Sequence, residues 1–278
     1  MGWTGVVLLL AGCAAADVAP PPPAAVSPLP AAVPEVPGMA AESFRHRSDV
    51  ALGDSFQVRL TNTGSAPFTV TSVQLDSPGF AELPARELEQ EFDPGRRYDL
   101  TARFGPVDCA ASPEPVAALL TVSRDGGPTE QVRVPLAGPV LGDVHAELCR
   151  VEAVTEAAGV SVAGLAAAGD TVTGEVVLTR GAGADPVVVS VLQRSVVLEP
   201  VLSSALPATL PSGATELRLP VVVAPATCDA HALAETKQPY LFPLLVAVGD
   251  DEPVAVPLPL DDGQRQLLHD LLTRVCRR

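Results

Sequence analysis

Five cysteines and four histidines are the side chains whose types could carry specific chemistry in this 278-residue chain. The cysteines are Cys13, Cys109, Cys149, Cys228 and Cys276, and the histidines are His46, His145, His231 and His269. A cysteine sulfur can take a lipid, pair with another sulfur or ligate a metal. No C-x-x-C, H-E-x-x-H, G-x-S-x-G or P-loop pattern is present, and each histidine stands apart from the others. The acidic runs Gly249-Asp250-Asp251-Glu252 and Asp261-Asp262-Gly263 lack the alternating oxygen ligands of a calcium loop and read as hairpin or loop residues. The sequence therefore predicts no catalytic residues, no metal site and no cofactor.

Cys13 follows a short apolar run, Val6 to Ala11, which is far below the roughly 20 residues needed to cross a membrane. The run suits the hydrophobic region of a signal peptide. Leu10-Ala11-Gly12-Cys13 resembles the lipobox of bacterial lipoproteins. That resemblance implies cleavage before Cys13, diacylglycerol on its sulfur, and an anchor on the extracytoplasmic face of the cell membrane. Met1 to Gly5 departs from the family by carrying no Lys or Arg: either the true start lies upstream or this n-region is a weak one. The single lysine, Lys237, among abundant arginine, alanine, valine, proline and glycine resembles the usage of GC-rich genomes such as those of actinobacteria.

The net charge is −15. A nucleic-acid partner needs a basic footprint to release phosphate counterions, so that class is excluded. Adhesion to anionic headgroups is disfavoured on the same ground. Aromatic residues make up 4% of a chain that is 47% hydrophobic, so the cores are expected to be mostly Val, Leu and Ala.

Residues 13–41 read as a lipid-anchored linker. Ala14 to Ala41 is rich in Ala and Pro, including Pro20-Pro21-Pro22-Pro23, and favours extended polyproline II. At ~3.1 Å per residue it would span roughly 80 Å. Beyond it the chain repeats. Leu52-Gly53-Asp54-Ser55-Phe56 matches Ala168-Gly169-Asp170-Thr171-Val172. Alternating Tyr98, Leu100, Ala102 and Phe104, followed by Pro106 and Cys109, match Leu217, Leu219, Val221 and Val223, followed by Pro225 and Cys228. Val132-Arg133-Val134-Pro135-Leu136 matches Val254-Ala255-Val256-Pro257-Leu258. Each copy closes on a cysteine, through Gly142 to Cys149 and Gly263 to Cys276.

Period-two apolar patterns predict strands at 55–61, 68–75, 98–104, 116–123 and 131–136, and again at 171–179, 187–192, 215–223, 240–248 and 253–258. Turn signals separate those of the first copy: Asn62-Thr63-Gly64, Ser77-Pro78-Gly79, Asp93-Pro94-Gly95 and Asp125-Gly126-Gly127. Leu267, Leu268, Leu271, Leu272 and Val275 recur at helical spacing and predict a C-terminal helix over 264–277. Four cysteines allow three pairings. A bridge within one copy should recur in the other, which selects Cys109–Cys149 and Cys228–Cys276, closing separations of 40 and 48 residues.

Val58 to Val70, with Asn62-Thr63-Gly64 at its turn and Phe92-Asp93-Pro94-Gly95 following, resembles bacterial immunoglobulin-like modules of the abnormal-spindle/hydin type. The resemblance covers about half of the first copy and little of the second, and implies no catalytic residues. Two-domain lipoproteins of this shape are also similar to uncharacterised envelope proteins of actinobacteria. The expected architecture is all-β: a signal peptide at 1–12, the linker, and two tandem immunoglobulin-like antiparallel β-sandwiches at 42–149 and 150–278, the second with a C-terminal helix. The expected function is a non-enzymatic binding or interaction module displayed outside the membrane, held by lipid on Cys13 and engaging an envelope protein. The competing readings are an enzyme or enzyme subunit with a site assembled from loop residues, and a structural spacer or assembly factor.

Overall fold

Alternation of apolar residues commits much of the chain to strands, because side chains on a strand face opposite sides in turn. The computed structural model describes residues 1–2, 32–124 and 127–277. Residues 3–12 of the signal segment, Cys13, linker residues 14–31 and the Asp125-Gly126 part of one expected turn lie outside them.

The first half runs β1 (Met39–Phe44), α1 (Arg47–Leu52), β2 (Ser55–Asn62), β3 (Phe68–Asp76), β4 (Arg86–Phe92), β5 (Arg97–Arg103), β6 (Ala117–Ser123) and β7 (Glu130–Ala137). Helix α2 (Val140–Ala157) follows. The second half runs β8 (Ala158–Ala168), β9 (Thr171–Arg180), β10 (Val187–Leu192), β11 (Leu198–Leu202), β12 (Ala208–Leu210), β13 (Glu216–Pro225), α3 (Ala230–Glu235), β14 (Pro243–Val248), β15 (Val254–Pro257) and α4 (Asp262–Cys276).

The fold is mostly β, with several sheets and a C-terminal helix, rather than all-β. The first half does not divide into two separate sheets. Its seven strands form one sheet in the order β4-β3-β6-β7-β1-β2-β5. A parallel pairing of β1 with β7 joins the two sides, at Ala41 with Leu136 and Glu42 with Ala137. The free ends, β4 and β5, come together, and the Arg86 guanidinium donates to the Thr101 carbonyl across the seam at 2.8 Å, giving a nearly closed barrel. The second half has two four-stranded sheets, β12-β10-β14-β15 and β11-β13-β9-β8.

The pairing order repeats. β1-β2-β5 corresponds to β8-β9-β13, and β4-β3-β6-β7 corresponds to β12-β10-β14-β15; β11 is an addition beyond β13. The correspondence reaches single hydrogen bonds. The N–H of Leu136 donates to Val116 O at 3.1 Å, and that of its repeat partner Leu258 donates to Phe242 O at 3.0 Å.

The expected strands are present with ends moved by a few residues. The largest change is at β14, which begins at Pro243 instead of Tyr240. Two expected boundaries need correction. β1 begins at Met39, inside the expected linker, and Met39 and Ala41 are buried in the first core because their side of the strand faces inward. The expected boundary at 149/150 falls in the middle of α2. Leu141 and Val144 of that helix are buried in the first core, while Val154, and Ala158 just beyond it, are buried in the second. Gly181 permits this. A Cβ there would lie 2.0 Å from Glu156 O, so only glycine lets the chain pass so close to the end of α2.

Candidate functional site

The cysteines that close each repeat sit at equivalent places. Cys109 follows β5 and pairs with Cys149 of α2; Cys228 follows β13 and pairs with Cys276 of α4. The Cα atoms are 5.5 and 5.2 Å apart. Each bridge ties the helix that ends a repeat to the loop after one of its strands. Cys13 lies outside the described residues.

The bridges have different surroundings. Beside the first, Glu152 Oε2 lies 3.0 Å from Cys109 Sγ, and the His145 ring nitrogens lie 3.9 Å from Cys149 Sγ. His145, Cys149 and Glu152 share one face of α2, because residues three or four apart stack along a helix. The imidazole is nearly buried, edge-on to Phe80 with centroids 5.6 Å apart. Its Nε2 is 3.0 Å from Asp108 O, and a carbonyl can only accept, so Nε2 donates to it. Gly79 makes room for the ring, since a Cβ there would meet its Cδ2 at 2.7 Å. Beside the second bridge the partner is Thr227 O, 3.8 Å from Cys276 Sγ.

The other histidines are dispersed. His46 precedes α1 and stands edge-on to Phe44, with centroids 4.8 Å apart. His231 is exposed on α3. His269 of α4 has its Nδ1 3.4 Å from the Tyr240 hydroxyl. Among the described residues no group of three or more His, Cys, Asp or Glu is placed to hold a metal ion. Asp261 of the acidic run 261–263 caps α4, accepting from Gln264 N at 2.7 Å, and Asp251 and Glu252 line a cavity.

That cavity, of about 340 Å³, lies between α2 and the β14–β15 turn, where Arg150 also reaches it. Another, of about 370 Å³, lies beside α4 and is lined by Val197, Leu233, Leu272, Thr236, Tyr240 and His269. Burial pushes the Tyr240 phenol up, with a smaller contribution from the Asp270 carboxylate. Tyr240 and His269 are too far apart for a strong hydrogen bond, and neither is arranged as a base against a nucleophile. On the outer face of the first half, Arg59 bridges Glu42 and Asp99 and lies over the Phe44 ring at 4.1 Å. The hydrogen bond from Arg59 holds the Asp99 carboxyl below the usual carboxylate range, and Arg103 does the same for Asp54.

α2 was missed in the sequence although its signal is present. Leu141, Val144, Leu148, Val151 and Val154 recur at three- and four-residue steps, hidden by reading Cys149 as the end of a repeat.

No family model matches the chain, and no curated protein matches it. Among solved structures it is similar to a transglutaminase of red sea bream at 12% identity and a TM-score of 0.25, over 82% of this chain and 32% of that one. It is also similar to a protein of unknown function from Porphyromonas gingivalis W83, at 17% identity and a TM-score of 0.19, over 75% and 92%. A third similarity, at 11% identity and a TM-score of 0.18 over 80% and 49%, is to the secreted serine protease VesC of Vibrio cholerae. The chain spans about a third of the transglutaminase, and likenesses this remote carry no functional argument.

Proposed function

We propose that this protein is a non-catalytic binding module of the bacterial cell envelope, built from two tandem immunoglobulin-like units and held outside the membrane by lipid on Cys13. The observation that carries the reading is the repeat itself: two β units with one strand order, each tied by a disulfide between a strand-end loop and a closing helix. Disulfides persist in oxidising compartments, so the bridges support placement beyond the cytoplasm. A repeated β scaffold whose ends carry loops suits recognition of another protein. The lipobox resemblance at Leu10 to Cys13 supports the anchor, and the Ala/Pro-rich segment supports a tether reaching to β1. A spacer is the second reading, favoured by α2, whose packing into both cores fixes one half against the other.

Fractionation of cells carrying Cys13→Ser tests the anchor. The variant is expected in the medium or as uncleaved precursor; a processed protein still on membranes overturns it. Photocrosslinkers placed in the β3–β4 and β10–β11 loops of the anchored chain test recognition. A discrete adduct with an envelope protein is expected, and none at either position overturns the binding reading in favour of the spacer.

A further inference from the structure

We propose that the cavity beside α4 binds a medium-chain carboxylate, its acyl chain against an aliphatic wall and its anionic head among Tyr240, His269 and Arg277. The wall is Val197, Leu233 and Leu272, all packed in or against the second core. Around it stand a phenol, an imidazole and a guanidinium, and no carboxylate is among the described residues that line it. In a chain with 33 acidic side chains against 18 basic ones, a cavity of that sign runs against the chain's own excess. The cavity between α2 and the β14–β15 turn follows the excess instead, with Asp251 and Glu252 beside Arg150. Arg277 has no ion-pair partner among the described residues, so its charge is available to a ligand.

Each polar group can donate to an anion. The Tyr240 hydroxyl lies 3.4 Å from His269 Nδ1, so the two rings bring their polar atoms to one place. Burial pushes the phenol's pKa up, which keeps its proton throughout the neutral range, where a carboxylic acid is ionised. An imidazole carries an N–H in either tautomer, and a guanidinium is always charged. Asp270, whose charge also acts on Tyr240, accepts from Gln266 at 2.9 Å and does not line the cavity. The volume sets the length of the chain. At ~30 Å³ per non-hydrogen atom, the share of one water in the liquid, about 370 Å³ holds roughly twelve such atoms, the size of decanoate. The walls are fixed before a ligand arrives. Cys276 lines the cavity, and its bridge to Cys228 holds the end of α4 to the loop after β13. The loop between α3 and β14 carries Tyr240, and its Gln238 Nε2 donates to Ala51 O of α1 at 3.0 Å. A site built in advance gives up little conformational freedom on binding.

The site is independent of the Cys13 anchor and of recognition by the loops, so either can fail without the other. The test titrates decanoate, below the concentration at which it forms micelles, into the full chain at neutral pH, followed by calorimetry. The chain carries Cys13→Ser so that no attached lipid competes. A single saturable site is expected, at least about ten times tighter for decanoate than for decyltrimethylammonium, which has a like chain and the opposite charge. Acetate, the head alone, should bind far more weakly than decanoate. Arg277→Gln, at an exposed position after α4, should weaken decanoate by about fivefold, the worth of one hydrogen bond, and Tyr240→Phe by a similar factor. Thr273→Glu places a carboxylate in the wall and should abolish binding, with an unchanged melting temperature showing that the fold is kept. No saturable binding, equal affinity for the two oppositely charged amphiphiles, acetate binding as tightly as decanoate, or full affinity in Arg277→Gln would each overturn the proposal.

Discussion

In the first half the leading strand, β1, lies between β2 and β7; in the second its counterpart, β8, pairs with β9 alone. That difference separates a nearly closed sheet from two open ones, and it traces to the end of the last strand. Ala137, which pairs with Glu42 on β1, corresponds through the repeat to Pro259. Proline has no N–H to give a neighbouring strand. With Pro253 and Pro259 flanking it, β15 is only four residues long, and β8 pairs with β9 alone. The cores differ as well. Six of the chain's seven phenylalanines fall in the first half, where Phe68 and Phe92 stack with centroids 5.1 Å apart; the second core is Val and Leu around Phe242. Two copies of one topology thus reach stability by different means: closure and aromatic packing in one, aliphatic burial in the other.

The largest expected effect comes from the bridges, at roughly 4 kcal/mol each by loop entropy. Replacing both cysteines of one bridge by alanine should sharpen the contrast between the helices. α2 stays docked without Cys149 because Val151 and Val154 hold its later turns in the second core, whereas α4 ends at Cys276 and should fray. Amide exchange measures this; equal loss of protection in both helices would break the comparison. Next comes β1. A chain beginning at residue 42 loses buried Met39 and Ala41 and should lose about 3 kcal/mol relative to one beginning at residue 32, read by chemical denaturation. An unchanged midpoint would mean that closure through β1 contributes nothing.

Ala137→Pro writes the second half's feature into the first. It should cost about 2 kcal/mol by removing a ladder donor beside β1, and amide exchange in 39–44 should rise while the second half is unaffected. The smallest effect is acid sensitivity. Hydrogen bonds from Arg59 and Arg103 hold the folded pKa values of Asp99 and Asp54 below the ordinary aspartate value. The stability they contribute is present above that value and is lost as pH falls through the lowered folded values. Both carboxylates are about a third exposed, so the loss is small after solvent screening. Asp99→Asn should flatten the acid limb of the melting-temperature profile between pH 5 and pH 2, and an unaltered slope would remove this pair from the account.

Most of the β architecture was legible because alternation of Val, Leu and Phe leaves a strand few other ways to bury its apolar side. The cysteine pairs were legible because a repeat restricts which bridges can recur. The strands without that signature were not. β1 and β8 are rich in alanine, which marks a strand weakly, and β4 reads as a run of charges, Arg86-Glu87-Leu88-Glu89, because it lies largely exposed. They become strands because the neighbouring strand presents unpaired N–H and C=O groups that must be satisfied.

By itself the amino-acid order determined the repeat, the period of its strands, the last helix and the partnership of the four cysteines, since each rests on local pattern or on the comparison of one copy with the other. Only the tertiary structure decided how far each sheet closes, that α2 serves two cores, and which bridge has His145 and Glu152 beside its sulfurs. Those outcomes depend on residues distant in sequence meeting in space, where a single missing N–H at Pro259, or a gap left by Gly79, selects between arrangements that the local pattern permits equally.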